Sequence, residues 1–594
     1  GFLGGVLAFG SGAAVMSSGL LNATTALAQP AASRFPFKPI PAFTDGKVHV
    51  PEGYDWKVLA RWGDALSPQA DGYTVADGGP VEKSDMVFGE NTDGMETFSF
   101  QGHQLIAINH EYTNREINLP AAQEGVPASA DDVLKLQNLQ GVSVMEITEG
   151  ADGWQMVKDS KFNRRITHNS PMKIMGPAAG HALLKTEADP TGTSSLGTMN
   201  NCGSGTTPWG TYLTCEENFN GYFGSTNADA SYDEKVAAGY DRYGIGADGW
   251  GYDYHKWDAR FDTSKNPNEP HRVGWIVEID PTNPDSVPVK HTGLGRFKHE
   301  NAAVVVAPDG RVVVYMGDDE RGEYLYKFVS NGVYQPGGST EGLLDDGTLY
   351  AAKFDDDQTG TWLPLTPETT GMAMAEILVF TRMAASAVGA TTMDRPEWVA
   401  AGSNAVEAYC CLTNNKDRGV KPNAGGDDTS ANGPNPRDTN NYGQIVRWKP
   451  SNDDHAADTF DWDLYVMAGN PKVYNNEYAG SANINEGNLF NSPDGMVIDS
   501  TGLVWIQTDG DDSNEGEFEG MGNNQMLVGD PVSGEIVRFM TGPNGCEVTG
   551  LCWSADRRTM FVGIQHPGGT WPDGDGLPRS SVVAVKRTDN ALLG

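Results

Sequence analysis

The sequence predicts an all-β protein: a six-bladed β-propeller with long inserted loops and short helices on one rim. Three observations carry this expectation. Glycine (73) and proline (34) are abundant in the 594 residues and helical heptads are scarce, a composition of short strands joined by many turns. Residues 299–329, HENAAVVVAPDGRVVVYMGDDERGEYLYKFV, read as an antiparallel meander. A β run from Ala302 to Val306 meets an Asp-Gly turn, a second run from Val312 to Met316 ends in GDDE, and a third alternates from Glu323 to Val329. Finally, this unit recurs along the chain.

The closing strand of the unit reads GVSVMEI at 141, GWIVEI at 274, GEYLYKF at 322, GQIVRW at 443, GEIVRF at 534 and SSVVAV at 580. Before each comes a short polar cluster, containing in turn Asp93, Cys202, Glu300, Glu397, Asp494 and Glu547. Opening cluster and closing strand alternate six times without a break, at spacings of 109, 98, 97, 97 and 53 residues between openings. A compact blade needs only about 40–45 residues. The surplus is assigned to inserts at 224–272, 331–392 and 414–443, which on one rim build a lid or pocket. Two or three separate β-domains are the alternative.

The first 28 residues are uncharged and Gly/Ala-rich and end in Ala26-Leu27-Ala28, a small-x-small cleavage pattern. They read as the apolar part of an export signal, and the modest hydrophobicity suits the twin-arginine route, although these 28 residues contain no Arg-Arg pair. A membrane anchor is the alternative, but Gly, Ser and Asn interrupt the stretch. Residues 29–85 are expected to form an N-terminal extension packed on the propeller, and 86–594 the propeller itself.

Formal charge is −37, from 79 acidic and 42 basic residues. Such a surface repels nucleic acid and anionic lipid. Six cysteines occur, at 202, 215, 410, 411, 546 and 552, with no C-x-x-C pair, which argues against a structural zinc knuckle. A Cys546–Cys552 disulfide is compatible with the spacing.

The first strand of a propeller blade lines the central channel, so the six opening residues would converge there. At 4 Å each pair of like charges costs about 4 kcal/mol even at an effective dielectric of 20. Converging carboxylates must therefore protonate or bind cations. Oxygen ligands suit calcium or ferric iron, whereas the Cys202 thiol points to a transition metal. Glu217, at the end of the second strand of the Cys202 unit, returns to the same rim. Strand parity admits only one of Glu216 and Glu217 inward, and Glu217 is the choice. The second-strand residues Glu111, Asp318, Asp319, Glu320, Asp511, Asp512 and His566 are expected in an outer ring, and Asp93 is the weakest opening residue because Asp-Gly is itself a turn signal. Arg395 lies two residues before Glu397, on the same strand face by alternation, and offers a fork for a phosphate-like oxyanion. Arg321 is a second candidate for that role.

The motifs NHEYTN, NNC, TPWGTYLTCEENFNGYFG, GRFKHENA, GDDERGEYLYKFV, DRPEW, LTNN, SPDG and IQHPGG together resemble the PhoX family of secreted alkaline phosphatases, over about residues 88–570. The resemblance implies an exported propeller monomer that hydrolyses phosphate monoesters, and diesters besides, with no nucleic-acid partner and no stable membrane association. It implies a cofactor mixing Fe3+ and Ca2+, with iron held through a cysteine thiolate. By matching motif, the metal ligands are Cys202, Glu217, Glu300, Glu397, Asp494 and Glu547, with Arg395 contacting phosphate. The pair Cys410-Cys411 departs from the pattern and receives no role. The expected reaction is metal-assisted phosphoryl transfer at alkaline pH without a covalent phosphoenzyme. The rivals are a calcium-dependent lactonase or phytase-like propeller and a non-catalytic calcium-stabilised binding propeller.

Overall fold

Six units, each built on four antiparallel strands, follow one another in the computed structural model; the third has a fifth strand, and the sheet of the second is extended by Pro171–Met175, parallel to Val289–His291, and by Ser194–Leu196. The structure describes residues 32–594, so the export-signal segment lies outside the described residues. The chain is mostly β. The first unit starts at Thr92–Phe100, the second at Asn201–Thr206 and the third at Ala303–Val306. The fourth starts at Pro396–Ala400, the fifth at Pro493–Ile498 and the sixth at Glu547–Trp553. The third and fourth share one nine-stranded sheet, joined where Thr359–Pro364 pairs with Thr459–Met467. The sixth is completed from the other end of the chain: Tyr54–Arg61, in the N-terminal segment, pairs antiparallel with Ser581–Arg587. That segment thus supplies a strand as well as packing on the outside.

The first strands of the first, second, fifth and sixth units each neighbour the first two strands of the preceding unit, the sixth preceding the first; that of the third neighbours the first strand of the second, and that of the fourth the second strand of the third, so the series closes on itself. The apolar side chains fill the spaces between consecutive units. Ala107, Val142, Tyr212 and Val277 join the first to the second, and Val313, Leu325, Val399 and Val446 join the third to the fourth. Trp505, Val528, Val548 and Val562 join the fifth to the sixth, and Phe561 and Val582 meet Ile106 and Ile108 where the ring closes. With the spaces between consecutive units so filled, the innermost edge is left to polar side chains.

Two sequence devices shape that edge. The first strands approach so closely that a Cβ at Gly203 would lie 2.3 Å from the Glu300 carbonyl oxygen, and the Gly203 N–H donates to that oxygen at 2.6 Å. The first strands also carry a repeated bulge. Asp93 and Gly94 both oppose Asn109, and Cys202 and Gly203 both oppose Cys215. Glu397 and Trp398 oppose Cys411, and Asp494 and Gly495 oppose Gln507. In all four, the residue singled out from sequence is the first of the extra pair.

Strand GEIVRF proves to be the fourth of its unit (Ile536–Thr541); the third is Gln525–Gly529. The alternation of that fourth strand imitates the closing pattern because both strands are packed on two faces. The inserts carry the helices Glu234–Tyr243, Met374–Val379 and Thr381–Ala387. All six cysteines are buried and free, so Cys546 and Cys552 are not paired. Among the described residues no helix is long and apolar enough to cross a membrane.

Candidate metal centre

The bulges turn one side chain per strand toward a common centre, and a second side chain arrives from each neighbouring strand. The return hairpin fixes which one. Thr92 pairs with His110, so Glu111 faces Asn91 and lies diagonally across from Asp93, on the same face. Asn201 pairs with Glu216, so Glu217 faces Asn200 and lies diagonal to Cys202. His299 bridges Asp318, setting Asp319 diagonal to Glu300, and Pro493 pairs with Thr508, setting Asp509 diagonal to Asp494.

The result is a set of overlapping groups whose ligand atoms lie within 4.8 Å of one another. Asp93, Glu111 and Cys202 form one; Cys202, Glu217 and Glu300 a second; Glu300, Glu397 and Asp494 a third. Shared Cys202 and Glu300 fuse these three into one cluster, and all of its members are buried. Asp509, Glu547 and His566 make a fourth, more open group. The Cys202 Sγ lies 3.1 Å from Glu300 Oε2 and 3.7 Å from Asp93 Oδ2.

Burial, reinforced by the neighbouring acids, pushes the carboxyls of Glu111, Glu217, Glu300, Glu397, Asp494 and Glu547 well above the usual carboxylate range. The Cys202 thiol rises for the same reasons, burial first and then Asp93 and Glu300. Among the described residues, one guanidinium enters the cluster. Arg395 donates through Nε and Nη2 to the two oxygens of Asp319 at 2.9 and 3.0 Å, and through Nη1 to Asn414 Oδ1 at 3.1 Å. Its contact with Glu397 is longer, 3.4 Å.

Arg395 reaches this position by a route that strand alternation does not describe. It lies outside Pro396–Ala400 with a left-handed φ of 51°. Asn91, Asn200, Ser492 and Gly545 stand at the same place, two residues before Asp93, Cys202, Asp494 and Glu547, and also have positive φ. A left-handed residue before each of these five first strands is thus a repeated device for aiming the side chains that come after it. Arg321 is half-exposed, and its nearest acids are Asp417 (3.8 Å) and Glu320 (3.9 Å) rather than any of the clustered ones.

Glu216 and Glu217, adjacent in sequence, separate completely. Glu217 joins the cluster, while Glu216 is fully buried on the other side, bonded to Lys290 Nζ at 3.0 and 3.2 Å and to the Trp275 N–H at 3.1 Å. Asp318 likewise turns away from the cluster, onto Arg382. Glu111, Asp319, Asp509 and His566 show the reach of the second strands. Glu111, Asp319 and His566 were expected in an outer ring, and the structure instead brings Glu111 against Asp93 and Cys202, Asp319 against Arg395, and His566, with Asp509, against Glu547. The register rule that singles out Glu217 applies equally to Glu111, Asp319 and Asp509, and was the available signal.

Among proteins of known structure, the chain is similar to PhoX of Pseudomonas fluorescens, solved in complex with vanadate, a transition-state analogue. Identity is 49%, the match covers 94% of this chain and 99% of that one, and the TM-score is 0.90. A gluconolactonase of Xanthomonas campestris (10% identity, 92% and 98% covered, TM-score 0.30) and an α-L-arabinanase of Penicillium chrysogenum (8%, 90% and 100%, 0.32) are too distant to bear on function. No curated protein matches. The family described as alkaline phosphatase PhoX matches residues 35–568. The chain belongs to the PhoX family of alkaline phosphatases and is a phosphoric ester hydrolase.

Proposed function

We propose that this chain hydrolyses phosphate monoesters, and diesters besides, at the buried cluster, outside the cytoplasm and after export by the twin-arginine route. The closed series of six units is read as a six-bladed propeller with the cluster in its channel, acting as a monomer on small phosphate esters. The observation that carries the site assignment is the Cys202 thiol lying between Glu300 and Asp93 in a wholly buried cluster of acids.

The donor set suits bound cations. Its acids and thiol greatly outnumber the single guanidinium among them, and so many buried charges cannot all ionise uncompensated. Cys202, with Asp93, Glu217 and Glu300, offers one soft and several hard donors, a set for ferric iron. Glu300, Glu397 and Asp494 offer oxygen donors only, as do Asp509 and Glu547 apart from His566, and these suit calcium. When bound, the cations would supply positive charge to the phosphate oxygens and lower the pKa of water. The chain's own residues do the rest. Arg395 presents a planar fork that binds two oxygens of a phosphoryl group, exchanging part of its present bonds to Asp319 for bonds to substrate. Asp319 and Asn414 hold that fork in orientation. Cys202 and Glu300 each belong to two groups and fix the spacing between them. Burial keeps bulk water from competing for the developing charge.

Hydrolysis of p-nitrophenyl phosphate, before and after chelation, tests this reading. Activity should vanish on chelation and return only when iron and calcium are both restored. Full activity after exhaustive chelation, or with calcium alone, would refute the assignment.

A further inference from the structure

We propose that the acid immediately preceding a site residue acts as its anchor, and that the buried Asp394–Arg418 pair positions Arg395 for the phosphate. The proposal rests on the reading of Arg395 as the phosphate-binding residue. Three members of the site share one arrangement. Glu217 follows Glu216, which is held by Lys290 at 3.0 Å. Asp319 follows Asp318, which takes Arg382 on both oxygens at 2.7 and 2.8 Å. Arg395 follows Asp394, which accepts from Arg418 Nε at 2.7 Å. All six partners are essentially without solvent exposure, at 0–1%. Strand alternation explains why the preceding acid points away from the cluster. It does not explain why that position is an acid paired to a base in these three, where Glu111 and Asp509 follow His110 and Thr508 instead, since an apolar residue would bury there more readily.

Around Asp394 the arrangement is the most complete. Its Oδ2 accepts from Asn440 Nδ2 at 2.9 Å and Gln444 Nε2 at 3.1 Å, and its backbone N–H donates to Asn435 Oδ1 at 2.8 Å. Arg418 in turn donates to the Thr392 hydroxyl at 3.0 Å and the Thr392 carbonyl at 2.9 Å. The turn 392–395 is therefore clasped on the side opposite the cluster, by residues that come mostly from the polar insert 414–443. Arg395 needs such a clasp. Its φ of 51° is a conformation that a long side chain adopts only when its surroundings over-determine it. Released, the backbone would relax, and the guanidinium at the end of its long side chain would lose its alignment with Asp319. The polar insert is thus a positioning element for the phosphate-binding fork and not a lid alone.

The test is a double-mutant cycle on the metal-loaded, full-length enzyme with Arg395→Ala and Arg418→Met, read by KM for p-nitrophenyl phosphate and by the inhibition constant of inorganic phosphate. Arg418→Met should raise both constants about tenfold or more, leave the bound-metal content at the wild-type level, and have no further effect in the Arg395→Ala background. Arg418→Lys, which keeps the charge without the fork, should fall between and guards against a failure to fold. Additive losses in the cycle, or a lowered melting temperature with unchanged KM and phosphate inhibition, would overturn the clasp alone. Wild-type constants in Arg395→Ala would overturn the phosphate-binding reading, and the clasp with it. Lys290→Met probes the same device beneath Glu217 and should instead reduce bound metal with little change in phosphate inhibition. Undiminished metal there would overturn the general form of the proposal.

Discussion

Removing the cations should make folding stability strongly pH-dependent. Glu300, Glu397 and Asp494 present ligand oxygens within 4.8 Å of one another. Two unit charges at that separation repel by about 3.5 kcal/mol at an effective dielectric of 20, so three ionised carboxylates carry about 10 kcal/mol of repulsion. That is comparable with the whole stability of a typical domain, about 5–15 kcal/mol. The chelated protein must therefore hold protons on these groups, consistent with the upward direction of all three pKa values through burial and mutual repulsion. The sign follows from linkage. Above the ordinary carboxylate range the unfolded chain has released protons that the folded chain keeps, so stability falls as pH rises, by about 1.4 kcal/mol per pH unit for each such carboxyl and about 4 kcal/mol for three. Urea unfolding of chelated and cation-loaded protein at pH 5, 6, 7 and 8 measures it. The chelated form should lose stability steeply across this series and the loaded form should not, and calorimetry should record proton uptake on chelation. A chelated protein equally stable at pH 5 and pH 8 would show that these carboxyls do not hold protons when the cations leave.

Cys202→Ala should remove bound iron and activity together; elemental analysis showing iron retained would contradict its place in the cluster. Glu111→Gln should also reduce bound metal, because Glu111 shares a group with Asp93 and Cys202; unchanged content would return it to a supporting role. Gly203→Ala would set a Cβ 2.3 Å from the Glu300 carbonyl, so the variant should be insoluble or melt at least several degrees lower, and a wild-type melting curve would show that the first strands can separate. His291, held between Asp345 (2.7 Å) and Glu278 (3.0 Å), has its pKa raised to about 9 by those two acids against the cost of burial. Its stabilising contribution, about 3 kcal/mol, is complete below pH 6.5 and is lost as pH rises through 9. His291→Gln should therefore flatten the fall in melting temperature between pH 7 and pH 10.

Much of the site was legible because a meander is a local structure. One polar residue at the opening of each unit, recurring every 97–109 residues until a last interval of 53, named Cys202, Glu300, Glu397, Asp494 and Glu547, and the hairpin return named Glu217. The same return register, carried to the other units, names Glu111, Asp319 and Asp509 as well, whereas position at a second-strand end alone suggests only an outer ring. Arg395 was found by alternation, yet it is placed by a left-handed backbone that alternation does not contain. The Tyr54–Arg61 strand was hidden because its partner, Ser581–Arg587, lies at the other end of the chain. The buried bases Lys290, Arg382 and Arg418 were invisible for a similar reason: each meets its acid only after an insert has folded back, and nothing in the local pattern marks a lysine or arginine as fully buried.

In the proposed centre a thiol and several acids, distant in sequence, are held together at one place by the cations between them. Anomalous diffraction from metal-loaded crystals, recorded on both sides of the iron edge, would locate those cations. The expected result is an iron signal within bonding distance of Cys202 Sγ, with oxygen-coordinated calcium at Glu300, Glu397 and Asp494. An active crystal with no iron at Cys202, or with its metals bound elsewhere, would contradict it.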